Sequence, residues 1–317
     1  HGIGVARRSD LARFKSADGT SIEDNFATLG WVNLKDMQRG LEALTRIAAA
    51  FEANFDKVPK IAIVVEHGNA CGAAYGDNEA VINNAIHGNY RAAFGSFLLT
   101  NVAMTDAVSF SVRQWMVANR PFAGIAAPEI DEMAVAYFKR KKGKCHLLAN
   151  PALGDLGAHS LCQEPISHSI RGAVMTQSPS AFVPKFPKDW PEKLTADMCL
   201  AWGVCSASNS NTITMAKDGM IIANAVGQQE RAAACELAIS QVRHNKRTAM
   251  IKGAAVASDS FFPFADGLDM LARRKVGAIF ATSGSIHDKE VADHAAQFAD
   301  TIFHTVPDAK GRIFAGH

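Results

Sequence analysis

Apolar residues recur at Met37, Leu41, Leu44, Ala48, Phe51 and Phe55, a spacing that places them on one face of a helix. Val58-Pro59 closes that helix, because the residue before a proline resists helical geometry. An unbroken branched run, Ile61-Ala62-Ile63-Val64-Val65, then reads as a buried strand. It ends abruptly in Glu66 and His67. Small and turn-forming residues follow, Gly68-Asn69-Ala70-Cys71-Gly72-Ala73-Ala74, and read as a loop where backbone amides can approach a ligand.

The alternation continues. Asp77 or Asn78 can cap a helix running to about His87, Gly95 to Leu99 reads as a strand, and Asp106 to Ala118 as a helix carrying Val108, Val112, Trp115 and Met116. Gly124-Ile125-Ala126-Ala127-Pro128 and a helix from Ile130 to Phe138 complete a first α/β series. Residues 150–194, rich in Pro, Ser and Gly, read as a connecting segment. A second series begins with a helix near Asp197–Cys205. Two apolar runs, Thr212–Ala216 and Met220–Ala225, then flank Lys217-Asp218-Gly219, and Asp-Gly in that position signals a hairpin. A helix over 231–243, strands near 254–257, 277–281 and 301–305, and a helix over 288–298 close the chain. The two halves share a rhythm and are expected to be related α/β units. The expected division is an N-terminal segment 1–59, a first domain 60–194 with the connecting segment from about 150, and a second domain 195–317.

The composition changes this picture little. The chain has 317 residues, 48% hydrophobic and 20% charged, which is ordinary for a globular protein. A net charge of +2 gives no polyelectrolyte signal, so nucleic acid is not expected as a partner. No apolar run reaches the length of a membrane span. The opening residues lack a charged-then-apolar signal pattern. Six scattered cysteines without CxxC spacing read as reduced thiols, so a cytoplasmic protein is expected. The basic run Lys139-Arg140-Lys141-Lys142-Gly143-Lys144 reads as a solvated helix end.

Several constellations can carry chemistry. His67 with Cys71 could be a base beside a nucleophile or a pair of metal ligands, although structural zinc needs more ligands than this and no metal is expected. A neutral imidazole at a strand end can accept a proton near pH 7, while Cys71 can be a small buried hydrophobe. Ser208-Asn209-Ser210-Asn211 can form a turn or orient a substrate oxygen. Arg231, after Gly227-Gln228-Gln229-Glu230, suits a phosphate or carboxylate but also an ordinary ion pair. Phe261-Phe262-Pro263-Phe264, between Asp259 and Asp266, can be core or a wall for a flat heteroaromatic ligand.

Taken in order, these segments resemble one family. Glu66-His67-Gly68-Asn69-Ala70-Cys71-Gly72 is similar to the Lys-His-Ala-Asn-Pro-Cys-Gly signature of the AICAR transformylase domain of bifunctional purine biosynthesis proteins. Ser210-Asn211 with Ala216-Lys217-Asp218-Gly219 resembles that family's Ser-Asn and Ala-Lys-Asp-Gly block, and Gly227-Gln228-Gln229-Glu230-Arg231 its Gly-Gln-Gln-Ser-Arg. Ser258-Asp259-Ser260-Phe261-Phe262-Pro263-Phe264, Ser283-Gly284-Ser285 and the Arg312-Ile313-Phe314…His317 ending follow in the same order, so the resemblance runs from about Asn33 to His317. The cyclohydrolase part that usually precedes this unit is not in these 317 residues, which reads as a divergent stand-alone homologue.

The resemblance implies two cytidine-deaminase-like three-layer α/β/α domains without the deaminase zinc. It implies a homodimer with active sites at the subunit interface and transfer of a formyl group from 10-formyltetrahydrofolate to a small-molecule amine. By position, His67 is the expected base and Asn211 the expected holder of the reacting group. Gly95, Arg231, Phe261 and Arg312 are expected at the amine, and Phe94, Phe264 and Asp266 at the reduced folate. Some members carry a structural potassium ion.

The departures are specific. The family's catalytic Lys is Glu66 here, a carboxylate that cannot stabilise an oxyanion unless protonated, but that can recognise a cationic part of a substrate. The family's Asp before Gly-Ile-Ile-Ala-Pro is Ala123, its Lys-Tyr-Thr-Gln is Ser206-Ala207-Ser208-Asn209, and its N-terminal Arg-Tyr-Gly-Glu-Asn-Pro-His-Gln has no counterpart. The expected activity is therefore formyl transfer to an acceptor other than AICAR. AICAR transformylation with a rewired site and a silent ligand-binding or scaffolding homologue are the alternatives.

Overall fold

A computed structural model describes residues 14–16, 22–117, 122–138 and 145–311. The basic run 139–144 and Arg312 lie outside the described residues. The backbone begins with a short strand β1 (Lys15–Ser16) and a long helix α1 (Ile22–Phe55), interrupted at Gly30, whose φ of 66° is not helical. α1 therefore starts well before the periodic stretch that opens at Met37, in residues whose pattern is weak.

β2 (Lys60–Glu66) and β3 (Asn69–Gly76) form a hairpin. The stretch read as a ligand-approach loop after His67 is thus mostly a strand, and its small residues answer a packing demand. A Cβ on Gly72 would fall 2.0 Å from the Ala85 carbonyl oxygen. Gly72 lets helix α2 (Ala80–Gly88) lie directly on the sheet. Asn78, read as a cap, lies one residue before the N-cap Glu79, and its side chain accepts from the Ala80 amide at 3.0 Å in the turn that leads into the helix. The first series continues through β4 (Phe97–Thr100), α3 (Asp106–Val117), β5 (Gly124–Ala127), α4 (Glu132–Phe138) and β6 (His146–Ala149).

The segment read as a plain connector contains a second hairpin, β7 (Ile166–Ile170) and β8 (Ala173–Gln177). Its register puts Ile166, His168, Ile170, Ala173, Met175 and Gln177 on one face and Ser167, Ser169, Val174 and Thr176 on the other, so both faces are mixed, and both strands are exposed along their length. The second series is α5 (Glu192–Ser206), β9 (Ile213–Lys217), β10 (Met220–Ala225), α6 (Arg231–His244), β11 (Ala255–Ser258), α7 (Ala265–Ala272), β12 (Ala278–Ser283), α8 (Asp288–Ala295), β13 (Ile302–Pro307) and a final turn α9 (Asp308–Gly311).

Among the described residues, one 11-stranded mixed sheet has the order β1-β6-β5-β4-β2-β3-β10-β9-β11-β12-β13. Outward from the centre, the run β3-β2-β4-β5-β6 repeats as β10-β9-β11-β12-β13. Each run has an antiparallel hairpin, an antiparallel third strand and two parallel outer strands. β3 and β10 join antiparallel at the middle.

Alternation along β2 sorts the core. Ile61, Ile63 and Val65 belong to the cluster under α1 and α5 with Leu44, Ile47, Met198 and Trp202, whereas Ala62 and Val64 face α2 on the other side. α5 is buried from Thr195 to Ser206, a helix sandwiched on all sides rather than amphipathic. Gly203 permits its approach to α1, because a Cβ there would lie 2.4 Å from Ile47 Cγ1. No described helix is long and apolar enough to cross a membrane.

Both central hairpins turn through left-handed pairs, His67 and Gly68 at φ 54° and 75°, and Asp218 and Gly219 at 54° and 81°. Each turn is held by a buried Asp on the helix preceding it. Asp36 of α1 accepts from the Gly68 amide at 2.6 Å, and Asp197 of α5 accepts from Asp218 and Gly219 at 3.0 and 2.9 Å. Asp197 also takes the Tyr75 hydroxyl at 3.0 Å, which ties the second half to β3.

Asp197→Ala removes these bonds and leaves buried donors unpaired; the expected loss is about 2–4 kcal/mol of unfolding free energy, read from denaturant midpoints. A second expectation concerns acid. Burial holds the pKa values of His304 and His146 below their ordinary 6.5. The unfolded chain then binds more protons than the folded one near that value, so this contribution to stability falls as pH drops through about 6.5 and below. His304 sits among Phe186, Trp190 and Phe280, with ring centroids 6.4, 5.5 and 6.0 Å away. His304→Leu should flatten the fall of the urea midpoint between pH 8 and pH 5; an unchanged slope in the variant rules out His304 as its source.

Candidate active site

The first cluster is built on the β2–β3 turn. Glu66 ends β2, and the left-handed backbone at His67 lifts the imidazole out of the sheet, leaving its side chain 82% exposed. Its Nε2 lies 3.3 Å from Glu66 Oε1. Asp36 fixes the turn from below and is itself buried. Burial raises the Asp36 pKa, while the Gly68 amide and His67 oppose the rise. The Glu66 carboxyl is likewise pushed up, chiefly by burial and also by Asp36, with His67 opposing. Its Oε2 is buried without a hydrogen-bond partner. Gly95, at φ 80°, is so close that a Cβ there would lie 3.8 Å from both Glu66 oxygens, and its neighbour Phe94 is exposed.

Cys71 does not share this chemistry. It is the extra residue of a register shift between β2 and β3, where Val64 pairs with Gly72 and Val65 with Ala70. Its thiol points to the Val64 carbonyl oxygen at 3.4 Å, and burial pushes its pKa far up. Burial of that kind suits a packing residue, not a nucleophile.

The second cluster lies where β9 starts and β11 ends. Asn211 donates its side-chain amide to the carbonyls of Gln228 (2.8 Å) and Gln229 (3.2 Å), and its Oδ1 accepts from Arg231 at 2.7 Å. Arg231 is buried and pairs with Asp259, whose side chain is fully buried. Asp259 also accepts from the Thr212 amide at 2.7 Å and from the Ser210 hydroxyl. Arg231 Nε remains buried without a partner. Arg231 is thus an internal strut that locks Asn211 to the start of β9, and its charge is already matched. Phe261 is half-buried beyond this network, while Phe264 and Asp266 are exposed at the start of α7. The Phe264 ring is 5.2 Å from that of His287, which lines an open, mostly polar groove of about 520 Å³ with Lys289, Glu290, Asp293 and Gln297.

The two clusters are linked but separate. Asn69, just past the turn, accepts from the Asn209 amide at 3.3 Å. Asn224 of β10 donates to the Ala70 carbonyl at 2.9 Å and to the Ser208 hydroxyl at 3.1 Å. Arg39 of α1 donates to Asn209 Oδ1 at 3.0 Å. Both clusters therefore open on the same edge of the sheet. In the strand order, however, β3 and β10 stand between β2 and β9, a gap of roughly 15 Å at ordinary strand spacing. Glu66, His67, Gly95 and Phe94 come together; Asn211, Arg231 and Phe261 come together with Phe264 and Asp266 beyond them; within one chain the two groups do not meet.

Sequence reasoning missed Asp36, Asp259 as the partner of Arg231, and Asn224. Asp36 left a weak trace, an acid in helical register with the small and apolar Gly40, Ala43 and Ile47, beside the stripe that opens at Met37. Asn224 left another, a polar residue inside an apolar strand. Among the described residues, no group of three or more His, Cys, Asp or Glu side chains could hold a metal.

Residues 12–241 match the family model described as "AICARFT/IMPCHase bienzyme". The chain is 30% identical over 254 residues to the bifunctional purine biosynthesis protein PurH of Thermotoga maritima, a match covering 80% of this chain and 51% of that protein. It is 31% identical over 244 residues to PurH of Magnetococcus marinus (73% and 44% covered) and 28% identical over 259 residues to purH of Dictyostelium discoideum (77% and 45%). The chain spans about half the length of the curated relatives it matches. The motif order, the hairpin that presents His67 and the matched span agree: the chain belongs to the AICARFT/IMPCHase bienzyme family.

Proposed function

We propose that this chain is a formyl-transfer unit that moves the formyl group of 10-formyltetrahydrofolate to an amine. The observation that carries the reading is His67, an exposed imidazole on a turn whose backbone is fixed by a buried carboxylate. A rigid, solvent-facing imidazole can take the proton an amine loses as it attacks a carbonyl carbon. The amine nitrogen bonds to the formyl carbon, the bond from that carbon to N10 breaks, and the proton passes through His67 to N10. Phe94, Phe264 and Asp266 are assigned to the folate, and Gly95, Phe261 and Arg312 to the amine side, while Arg231, expected there from the sequence, stands behind Asn211 as a buried strut. Asn211 presents a preset edge to the reacting group, its orientation held by Arg231. No potassium ligands form part of the proposal.

The repeated strand order supports reading residues 60–194 and 195–317 as two cytidine-deaminase-like units. The gap between the two clusters supports a homodimer in which His67 of one protomer faces Asn211 of the other, and the scattered free cysteines fit a cytoplasmic setting. The acceptor is taken to be an amine other than AICAR, because Glu66 stands where the resembled family has a lysine. A second reading, AICAR as acceptor, is favoured by the name shared by the matched relatives, purine biosynthesis proteins.

Purified protein incubated with 10-formyltetrahydrofolate and a panel of amines that includes AICAR should release tetrahydrofolate and a formylated product detected by mass. His67→Ala should lower that rate by about 10²–10⁴-fold, the usual contribution of a general base. An unchanged rate in the variant, or no transfer to any amine, sinks the proposal, and turnover with AICAR alone selects the second reading. A shared site has its own signature. Mixing inactive His67→Ala with inactive Asn211→Ala protein and allowing subunits to exchange should restore about a quarter of the wild-type sites, since half of a random mixture is heterodimer with one intact site each. No recovery on exchange excludes the shared site.

A further inference from the structure

A carboxylate taken out of water is normally matched by a cation or by donors, because an unpaired buried charge is costly. Glu66 departs from that rule. Its side chain keeps only 20% of its surface exposed. Oε2 is closed to solvent and has no hydrogen-bond partner. The charged groups that act on the carboxyl are His67 and Asp36, with no lysine or arginine among them. Neither neighbour supplies a fixed positive charge. Asp36 is itself an acid, already committed to the Gly68 amide. His67 approaches Oε1 to 3.3 Å but is 82% exposed, and an imidazole is a cation only when protonated.

The surroundings suit a partner from outside. Gly95, at φ 80°, runs its backbone beside the carboxylate and sets no side chain there; a Cβ on it would lie 3.8 Å from both oxygens. That left-handed φ also disfavours residues with a side chain at this position. With Oε2 closed off, a ligand meets the carboxylate from the Oε1 side, where the imidazole stands. Among the described residues no group of three or more His, Cys, Asp or Glu side chains could hold a metal, so the matching charge is that of an organic cation.

We propose that Glu66 is the specificity residue of this site and selects an acceptor that carries a cationic group, such as an amidinium or guanidinium, a few bonds from the amine that is formylated. The identity of the acceptor rests on the formyl-transfer reading above; the charge preference of the site does not. The two nitrogen groups of such a substrate have opposite duties. The attacking amine needs a free lone pair at neutral pH, as an amine on an aromatic ring has. The recognised group needs to keep its proton. Glu66 anchors the second, which sets the first beside the turn. The same carboxylate repels an acceptor whose corresponding group is anionic, so one side chain supplies both attraction and rejection.

Three aromatic amines that differ in the charge of the group opposite the amine test this: 4-aminobenzamidine (cationic), 4-aminobenzamide (neutral) and 4-aminobenzoate (anionic). Each is titrated into the protein at neutral pH and followed through the Gly68 and Gly95 amide signals by NMR. The wild type should bind the amidine about 10- to 100-fold more tightly than the amide, the range of a charge-assisted hydrogen bond, and the benzoate least. Glu66→Gln, close in shape, should erase the difference between amidine and amide, and Glu66→Lys should put the benzoate first. Urea midpoints of both variants check folding, and Glu66→Gln carries the test if Glu66→Lys does not fold. With 10-formyltetrahydrofolate present, the amidine should be formylated, and Glu66→Gln should raise its KM more than it lowers kcat. An unchanged charge order in the variants, or no shift of either amide with any of the three, overturns the specificity role. A preference that follows the side chain at position 66 with no formyl transfer to any amine supports that role and overturns the formyl-transfer reading instead.

Discussion

The site depends on a buried carboxylate reaching up from a helix to hold a left-handed turn. A turn with positive φ at two successive residues is costly for any residue but glycine or a short polar one. Histidine is there at His67, and the Asp36 bond to the Gly68 amide offsets the cost. The opposite end of the sheet uses the same device, with Asp197 of α5 holding Asp218 and Gly219. Both acids are buried and both have raised pKa values, chiefly through desolvation. One turn presents an imidazole; its counterpart presents an aspartate paired with Lys193. The same local physics thus serves exposure of a reactive group in one half and a surface ion pair in the other.

The second cluster obeys a different rule. Arg231 and Asp259 form a buried ion pair, and such pairs survive only when the remaining donors and acceptors are satisfied. Ser210, Thr212 and Asn211 supply most of those partners. The loop carrying Asn211 is thereby welded to α6 and β11. Removing one charge would leave the other buried and uncompensated, so this region is rigid by electrostatic necessity, and its arginine is spent on architecture before any ligand arrives.

Much of this was legible in the residues. The run Ile61–Val65 became β2, Asp218-Gly219 made the predicted hairpin, and the similar rhythm of the halves became a repeated strand order. The failures have physical causes. Gly68–Ala74 looked like a loop because small residues signal turns, yet here they thin a strand so that α2 can lie against it. The β7–β8 hairpin was hidden in a segment rich in Pro, Ser and Gly, whose strands are exposed and carry little periodicity. The pairing of Arg231 with Asp259 joins residues 28 apart in sequence, and local patterns carry no trace of it. His67 was found because it breaks a pattern; Asp36 was missed because it sits inside one.

Gly72 carries a lesson about signatures. In the stretch Glu66-His67-Gly68-Asn69-Ala70-Cys71-Gly72, the last position answers to the Ala85 carbonyl, and Cys71 answers to a bulge in the sheet. Glu66 and His67 stand together at the turn, with the imidazole exposed, and Asn69 braces the neighbouring loop. A motif of this kind is two messages printed on one line, a folding instruction and a reagent label. The folding part can keep the motif recognisable while the label is rewritten, so kinship and catalytic identity are separate inferences at this sheet edge.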